Sequence, residues 1–195
     1  MGDKAQYNFL LNHSSKFSSP PQKVIYSGAA VGNNDFSKIF PSAIFHTTDI
    51  EASENIDIPW DLEKDPPNHL TNKYDLFIST SVLEHVKRPW IAAKNMEKVV
   101  SKGGYLYISA PWAWDFHEFP GDYWRFSHQA FDILFEGSTP IWTAWNTYPD
   151  CIIYKHNPYI DRKMTMRTEG MLDTGEKVRR RGIPLLQLNQ IRQKI

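Results

Sequence analysis

The stretch Tyr74–Val86, YDLFISTSVLEHV, decides the fold of this 195-residue chain. Its first part, Tyr74–Thr80, is a β-rich apolar run, which predicts a buried strand. A polar turn at Thr80 and Ser81 follows, and then the run Leu83–Val86. Ligands of parallel sheets bind beyond the carboxyl ends of the strands, so this turn is where a binding site is expected.

Strand and helix candidates alternate on both sides of this stretch. Further strands are predicted at Lys23–Ser27, Ile44–Thr48, Ile56–Trp60 and Tyr105–Ala110, the last stopped by Pro111. Helices are predicted over Arg88–Ser101, terminated by Gly103-Gly104, and from the N-cap candidate Ser127 to Phe135. Two final strands, Ile141–Asn146 and Cys151–Lys155, are predicted to pair through Tyr148-Pro149-Asp150. The alternation favours an α/β fold, with a mostly parallel, doubly wound sheet and an antiparallel terminal hairpin.

Composition excludes several classes of protein. The 22 Lys and Arg balance the 22 Asp and Glu, which disfavours a protein that holds nucleic acid through its overall charge. A hydrophobic fraction of 41% argues against wholesale disorder. The single cysteine, Cys151, excludes an intrachain disulfide and a multi-cysteine zinc site, and a reducing, cytoplasmic setting is expected. Without a signal peptide or a run of about 18 apolar residues, no membrane span is expected.

Charge is distributed unevenly along the chain. Residues 161–195 hold nine Lys and Arg but four Asp and Glu, whereas residues 1–160 hold 13 and 18. We therefore predict one domain over residues 1–160, beginning with a polar segment over 1–22, and a basic C-terminal extension over 161–195. The apolar spacing within Ile183–Ile195 predicts a short amphipathic helix. Such a helix would dock on the domain or on a second copy of the chain, giving a homodimer.

Small and acidic residues follow the predicted strands. The run Gly28–Gly32, GAAVG, lets the backbone approach a ligand closely, but an ordinary strand-to-helix turn has the same composition. Asp49, about 20 residues further on, is placed to accept hydrogen bonds from a ribose diol, or is a solvated loop acid. Asp61 is suited to accept from an exocyclic amine such as that of adenine, or to cap a helix.

Two segments carry a resemblance to a known family. Tyr74–Val86 and Pro111–Ser127, PWAWDFHEFPGDYWRFS, resemble the class I S-adenosylmethionine (SAM) dependent methyltransferases, closest to the small-molecule branch called the type 11 group. The resemblance covers about residues 23–155. It implies a Rossmann-like fold with a seven-stranded sheet, SAM as cofactor with S-adenosylhomocysteine as product, and a small-molecule acceptor.

The resemblance also implies roles for individual residues. It assigns cofactor binding to Gly28 and Gly32 (methionine part), Asp49 (ribose), Asp61 and Leu62 (adenine), and Thr80 and Ser81 (methionine and sulfonium). His85 matches a position near the cofactor pocket. The family usually has an acid where this chain has Tyr26, and a glycine where it has Ala30. These two departures favour the alternative function, a catalytically silent SAM-binding or SAM-fold module that regulates or interacts.

Aromatic residues are concentrated after the fifth predicted strand. Seven of the fifteen residues from Trp112 to Phe126 are aromatic, which predicts a lid over the cofactor and acceptor pocket, or a packed hydrophobic cover. Within the lid His117 is the first candidate for a catalytic base, and His85 is the second. The residues expected to bind the acceptor are Trp114, Asp122, Tyr123 and Arg125. Asp122 and Arg125 have an alternative role, which is to pair with each other.

Two further chemistries are disfavoured. The remaining histidines show no two-histidine ligand spacing along the chain, so no metal site is expected. The dinucleotide fingerprint G-x-G-x-x-G is not matched after Ser27, so a nicotinamide-dependent oxidoreductase ranks last.

Overall fold

The computed structural model describes residues 4–28, 35–117, 121–148, 153–155, 169–171, 177–179 and 185–195. The strands are β1 Lys23–Ser27, β2 Ile44–Asp49, β3 Ile58–Pro59, β4 Tyr74–Thr80, β5 Val100–Ala113, β6 Ser138–Tyr148, β7 Ile153–Lys155, β8 Glu169–Met171, β9 Lys177–Arg179 and β10 Leu185–Lys194. The helices are α1 Lys4–His13, α2 Pro89–Val99 and α3 His128–Leu134. Short 3₁₀ turns lie at Ser14–Lys16, Phe36–Lys38, Asn68–Leu70 and Leu83–His85.

One large mixed sheet organises the described residues. Its eight strands run in the order β3-β2-β1-β4-β5-β10-β6-β7, and β8 and β9 form a separate two-stranded sheet. Strands β1 to β5 are parallel to one another, whereas β10 is antiparallel to both β5 and β6. Apart from the short edge strand β7, this is the seven-stranded arrangement of a Rossmann-like methyltransferase sheet, and the predicted α/β fold is confirmed.

The predicted edge hairpin is present. Strand β7 pairs antiparallel with β6, with Trp145 opposite Tyr154. Part of the connection expected at Tyr148-Pro149-Asp150 lies outside the described residues, as does Cys151.

The amphipathic helix expected over Ile183–Ile195 is wrong. Residues 185–194 form β10, a central strand that pairs with β5 on one side and β6 on the other. Leu186, Leu188 and Ile191 are buried within the domain, so they are not free to dock on a second copy. The sheet is therefore not complete within residues 1–160, because a strand from the basic C-terminal region fills its centre.

Two boundaries around β5 also differ from expectation. Helix α2 ends at Val99, before Gly103-Gly104, because Val100 already pairs with Tyr74 of β4. Strand β5 then continues past Pro111 to Ala113. Proline has no N–H to donate, and the register between β10 and β5 shifts between Leu186 and Gln187, where Gln187 lies opposite Pro111.

Hydrophobic side chains are buried on both faces of the sheet. In β4, Phe77 packs with α2 and α3 on one face, whereas Leu76 and Ile78 pack with α1 on the other. Ser127 caps α3 as predicted, because its Oγ accepts a hydrogen bond from Ala130 N at 3.2 Å. No helix in the described ranges is long and apolar enough to cross a membrane.

Candidate active site

Three predicted site residues lie at one edge of the sheet. Strand β1 lies between β2 and β4, and Ser27 is level with Thr48 on one side and with Ser79 on the other. Gly28, Asp49 and Thr80 are the next residues of these three strands. The parallel register therefore brings them together at the carboxyl ends of neighbouring strands, which is where ligands of such sheets bind.

Gly28 turns the chain sharply away from β1. Its φ is +83°, and a Cβ atom at this position would lie 2.7 Å from Val82 Cγ2. Both the backbone conformation and the close approach of Val82 therefore require glycine. Gly32, the second predicted glycine, lies outside the described residues.

The turn after β4 contains buried hydroxyl groups without partners. Thr80 Oγ1 and Ser79 Oγ are buried and make no hydrogen bond in the described part of the chain, and the same holds for the Tyr26 hydroxyl. Tyr26 lies beside Thr80: burial raises the pKa of the Tyr26 hydroxyl, a weak interaction with the Thr80 side chain lowers it, and the Asp49 carboxylate raises it. Buried hydroxyls without partners are costly, so a ligand that supplies donors and acceptors would stabilise this edge.

Ser81 is held from two distant parts of the chain. Its φ is +55°, which is uncommon for a residue with a side chain. Ser81 Oγ accepts from Gln6 Nε2 of α1 at 3.1 Å and from Gln187 Nε2 of β10 at 2.7 Å. Gln6 Nε2 also donates to Ser109 Oγ of β5 at 3.0 Å. The sequence analysis missed Gln6, Ser109 and Gln187, because no local motif marks them.

The two acids expected at the ribose and the adenine occupy different surroundings. Asp49 is half-buried, and its Oδ1 accepts from the next backbone N–H, that of Ile50, at 2.8 Å. Asp61 accepts from Glu63 N at 2.9 Å, which closes a local turn. Leu62 is buried in the core cluster on the α2 face. The backbone links the two acidic positions, because Trp60 N donates to Asp49 O at 2.8 Å.

The aromatic segment folds back over the turn after β4. Tyr123 N donates to Glu84 O at 2.8 Å, and Phe126 N donates to Pro111 O at 2.9 Å. Trp114 is half-buried, whereas Tyr123 is exposed and its ring covers Gly121. The segment is thus hydrogen-bonded through Tyr123 to the Leu83–His85 turn.

Asp122 and Arg125 pair with each other. The carboxylate accepts hydrogen bonds from both terminal nitrogens of the guanidinium, which holds the pKa of Asp122 well below its usual range. Arg125 also donates to the carbonyl oxygens of Trp114, Asp115 and Trp124. This is the internal pairing that the sequence left open as the alternative to acceptor binding.

Both candidate bases lie beside this pair. The rings of His85 and His117 are 5.0 Å apart between centroids, and His117 Nδ1 is 3.5 Å from Asp122 Oδ2. Glu84 is 1% exposed, and burial raises the pKa of its carboxyl to about 7. Burial lowers the pKa of His85, which favours its neutral form.

The fold brings these groups closer than their chain positions suggest. One ligand atom from each of Glu84, His85 and His117 lies within 4.8 Å of the other two. The expectation of no metal site rested on spacing along the chain, which cannot detect such a set.

A nucleoside cofactor fits the residues at the sheet edge. The buried Thr80 and Tyr26 hydroxyls and the half-buried Asp49 carboxylate supply polar groups at this edge, and Gly28 adds no side chain of its own. The architecture and the position of this site define the fold of class I SAM-dependent methyltransferases.

Comparisons with known proteins agree with this class. A family model described as a methyltransferase domain, that of the type 11 group, matches residues 58–108. The resemblance found in the sequence is thus confirmed. No curated protein matches the sequence.

Solved structures share the fold at low identity. A Burkholderia thailandensis 1,6-didemethyltoxoflavin N1-methyltransferase, bound to 1,6-didemethyltoxoflavin and S-adenosylhomocysteine, is 12% identical with a TM-score of 0.63, covering 98% of this chain and 77% of its own. The N-methyltransferase NodS from Bradyrhizobium japonicum WM9, bound to S-adenosylhomocysteine, is 15% identical with a TM-score of 0.56, covering 98% and 85%. The YcgJ protein from Bacillus subtilis is 11% identical with a TM-score of 0.60, covering 98% and 99%.

Proposed function

We propose that this protein transfers a methyl group from SAM to a small-molecule acceptor. The observation that carries the proposal is the meeting of Gly28, Asp49 and Thr80 at one sheet edge, with unpartnered buried hydroxyls beside them. The solved relatives that hold S-adenosylhomocysteine support the same cofactor for this chain.

The proposed cofactor contacts follow the chain's own geometry. Asp49 would accept from the ribose hydroxyls, and Asp61 with Leu62 would flank the adenine. Gly28, Thr80 and Ser81 would hold the methionine part of SAM. The resemblance assigns Gly32 to the same part. The chemistry that SAM supplies is a methyl group on a positive sulfur, which is a good leaving group.

The aromatic lid would supply the residues that contact the methyl acceptor. Methyl transfer is accelerated mainly by holding the acceptor atom about 3 Å from the methyl group and by excluding water. Trp114 and Tyr123 would line the acceptor site, and the faces of aromatic rings attract the positive sulfur through cation–π interactions. Asp122 and Arg125 would position the lid through their mutual pair, and His117 and His85 would act on the proton of the acceptor.

Calorimetric titration with SAM and with S-adenosylhomocysteine tests the cofactor assignment. We expect both to bind, because the polar groups at the sheet edge gain partners. The proposal is contradicted if neither SAM nor S-adenosylhomocysteine gives binding heat at concentrations well above the usual cofactor dissociation constants. Methyl-transfer assays against a panel of hydroxyl- and amine-bearing small molecules then test turnover.

A catalytically silent SAM-binding module is the second candidate. It is favoured by one observation, the buried Tyr26 side chain at the position where the family has an acid. The two candidates separate experimentally. Binding of S-adenosylhomocysteine without methyl transfer to any acceptor in the panel supports the module, and turnover excludes it.

A further inference from the structure

Glu84, His85 and His117 form a cluster that the sheet-edge contacts do not use. Glu84 and His85 lie in the turn that follows β4, and His117 lies in the segment that follows β5. One ligand atom from each lies within 4.8 Å of the others. Glu84 and His85 lie three and four residues beyond Ser81, and His117 belongs to the aromatic segment that follows β5.

The hydrogen bonds of His85 fix which ring nitrogen is free. Its Nδ1 lies 2.6 Å from the carbonyl oxygen of Gly121. A carbonyl oxygen only accepts, so Nδ1 carries the hydrogen, and in the neutral ring Nε2 holds a lone pair. That Nε2 lies 4.0 Å from Glu84 Oε1. The free nitrogen therefore faces the carboxylate.

His117 also contacts a carbonyl oxygen through its Nδ1. Its Nδ1 lies 3.0 Å from the carbonyl oxygen of Asp115, so the neutral ring again leaves Nε2 with a lone pair. The carboxylate of Asp122 lies 3.5 Å from the same Nδ1. Metal-binding histidines typically donate their second ring N–H to a carbonyl or a carboxylate, which fixes the tautomer and orients the ring.

Glu84 supplies an observation independent of the histidines. Its side chain is 1% exposed, and Oε2 is buried without a hydrogen-bond partner in the described part of the chain. Arg125, one of the cations that act on Glu84, is already bound to Asp122 and to three carbonyl oxygens. A buried carboxylate oxygen without a partner is costly, and a cation beside the two histidines would satisfy it.

We propose that Glu84, His85 and His117 bind one divalent transition-metal ion of the zinc class. Two imidazole nitrogens and one carboxylate are a ligand set that such ions use in catalytic sites, where three protein ligands leave a coordination position open. Ligand bonds of about 2.0–2.2 Å require the three side chains to draw together around the ion. His117, on the lid, is the ligand placed to make this movement.

The function of the ion rests on the proposed methyl transfer and narrows its acceptor to hydroxyl compounds. A bound cation lowers the pKa of a hydroxyl at its open position, so the hydroxyl releases its proton to water. The oxygen electron pair then forms the new O–CH₃ bond. The S–CH₃ bond breaks, and its electron pair stays on sulfur as a neutral thioether. The two histidines thus act on the acceptor proton through the ion rather than by accepting it.

Metal titration of the tag-free full chain, stripped with EDTA, tests the site. We expect calorimetry to give one Zn²⁺ per chain, and Co²⁺ to give visible absorption bands from nitrogen coordination. His85→Ala, His117→Ala and Glu84→Gln should each weaken Zn²⁺ binding by about 100-fold or more, since losing only an outer hydrogen-bond partner already costs about 10–100-fold. His69→Ala, at an exposed histidine outside the cluster, is the matched control and should bind as the wild type does.

The outcomes separate the metal site from the proposed function. A folded wild-type chain that binds neither Zn²⁺ nor Co²⁺, or binding that survives in both histidine variants, overturns the site. Should the variants of buried Glu84 and half-buried His85 fail to fold, His117→Ala remains decisive, because that side chain is 38% exposed. Titration of the same samples with S-adenosylhomocysteine tests the cofactor independently. If the chain binds S-adenosylhomocysteine but no metal ion, the methyltransferase proposal stands and the metal site is rejected. If it binds the metal ion but not S-adenosylhomocysteine, only the metal site stands.

Discussion

Gln187 Nε2 donates a hydrogen bond to Ser81 Oγ at 2.7 Å, and so joins the last strand of the chain to the turn after β4. Gln6 approaches the same oxygen from α1. The turn that is proposed to hold the methionine part of SAM is therefore fixed by residues from both ends of the described chain. These two contacts, together with the hydrogen bond from Ser81 N to Ser109 O at 2.9 Å, hold Ser81 in an uncommon backbone conformation with φ at +55°.

Replacing Gln187 tests this anchoring. Gln187→Ala should lower the free energy of unfolding by about 1–3 kcal/mol, because the Gln187 side chain is buried and Ser81 loses a donor. S-adenosylhomocysteine should also bind more weakly. Gln193→Ala in the same strand is the control, since Gln193 reaches Gly103 O in an exposed contact. Urea unfolding and calorimetry provide the measurements, and equal effects of the two variants would contradict the anchoring role.

Two features of Gly28 disfavour a side chain there: its positive φ and the close approach of Val82. The destabilising effect of each can be measured separately. Gly103 has a similar φ of +78°, but a Cβ atom added there would meet no described atom within 4 Å, so Gly103→Ala isolates the backbone cost, about 1–2 kcal/mol. Gly28→Ala should destabilise the protein by more, because its Cβ would lie 2.7 Å from Val82 Cγ2.

The double variant Gly28→Ala/Val82→Ala separates the steric part of this loss. Removing the Val82 methyl groups relieves the contact but leaves the backbone strain. We expect the double variant to lose less free energy of unfolding, relative to the wild type, than the sum of the two single losses. Simple additivity in urea unfolding would show that the contact with Val82 does not limit this position.

Asp49 is expected to contribute to cofactor binding rather than to folding. Asp49→Ala should weaken S-adenosylhomocysteine binding by about 1–3 kcal/mol, the loss expected when ligand hydroxyls are left unpaired. The exposed Glu51, two residues further on, gives the matched control Glu51→Ala. Calorimetric affinity that is unchanged in Asp49→Ala would place the ribose contact elsewhere.

The pair of Asp122 with Arg125 should stabilise the lid. Asp122→Asn keeps the shape of the side chain but removes the charge that accepts two guanidinium hydrogen bonds. Because the Asp122 carboxylate is buried, we expect unfolding to require about 1–3 kcal/mol less in urea titration. Asp115→Asn changes an exposed carboxylate on the same segment and should have little effect. Equal stability of both variants with the wild type would exclude the positioning role.

The sequence alone determined the parallel part of the sheet and which residues stand at the carboxyl ends of its strands, the edge proposed to bind the cofactor. Apolar runs at β1, β2 and β4 each end in a small, acidic or hydroxyl residue, and these local patterns survive in the fold. The N-cap at Ser127 and the edge pairing of β6 with β7 were also local enough to predict.

Only the tertiary structure decided that residues 185–194 form a strand between β5 and β6. The run Leu185–Lys194 has apolar positions compatible with a helix, and its glutamines and asparagine look like a solvated face. In the sheet the side chains of Gln187, Asn189 and Gln190 are buried, and distant residues satisfy their hydrogen-bonding groups. Asn189, for example, accepts from the Tyr107 hydroxyl at 2.8 Å and donates to Asn146 Oδ1 at 2.6 Å. The sequence pattern of one segment cannot predict such partners, because they lie far away along the chain.

The histidine cluster depends on the tertiary structure for the same reason. His85 and His117 are neighbours because β4 and β5 are adjacent parallel strands, whose following loops meet at one edge of the sheet. Sequence spacing reports ligand sets within one helix or loop, whereas this set is assembled by strand pairing. The local residues fixed which chemistry is available, and the packing of distant strands fixed which of those residues can act together.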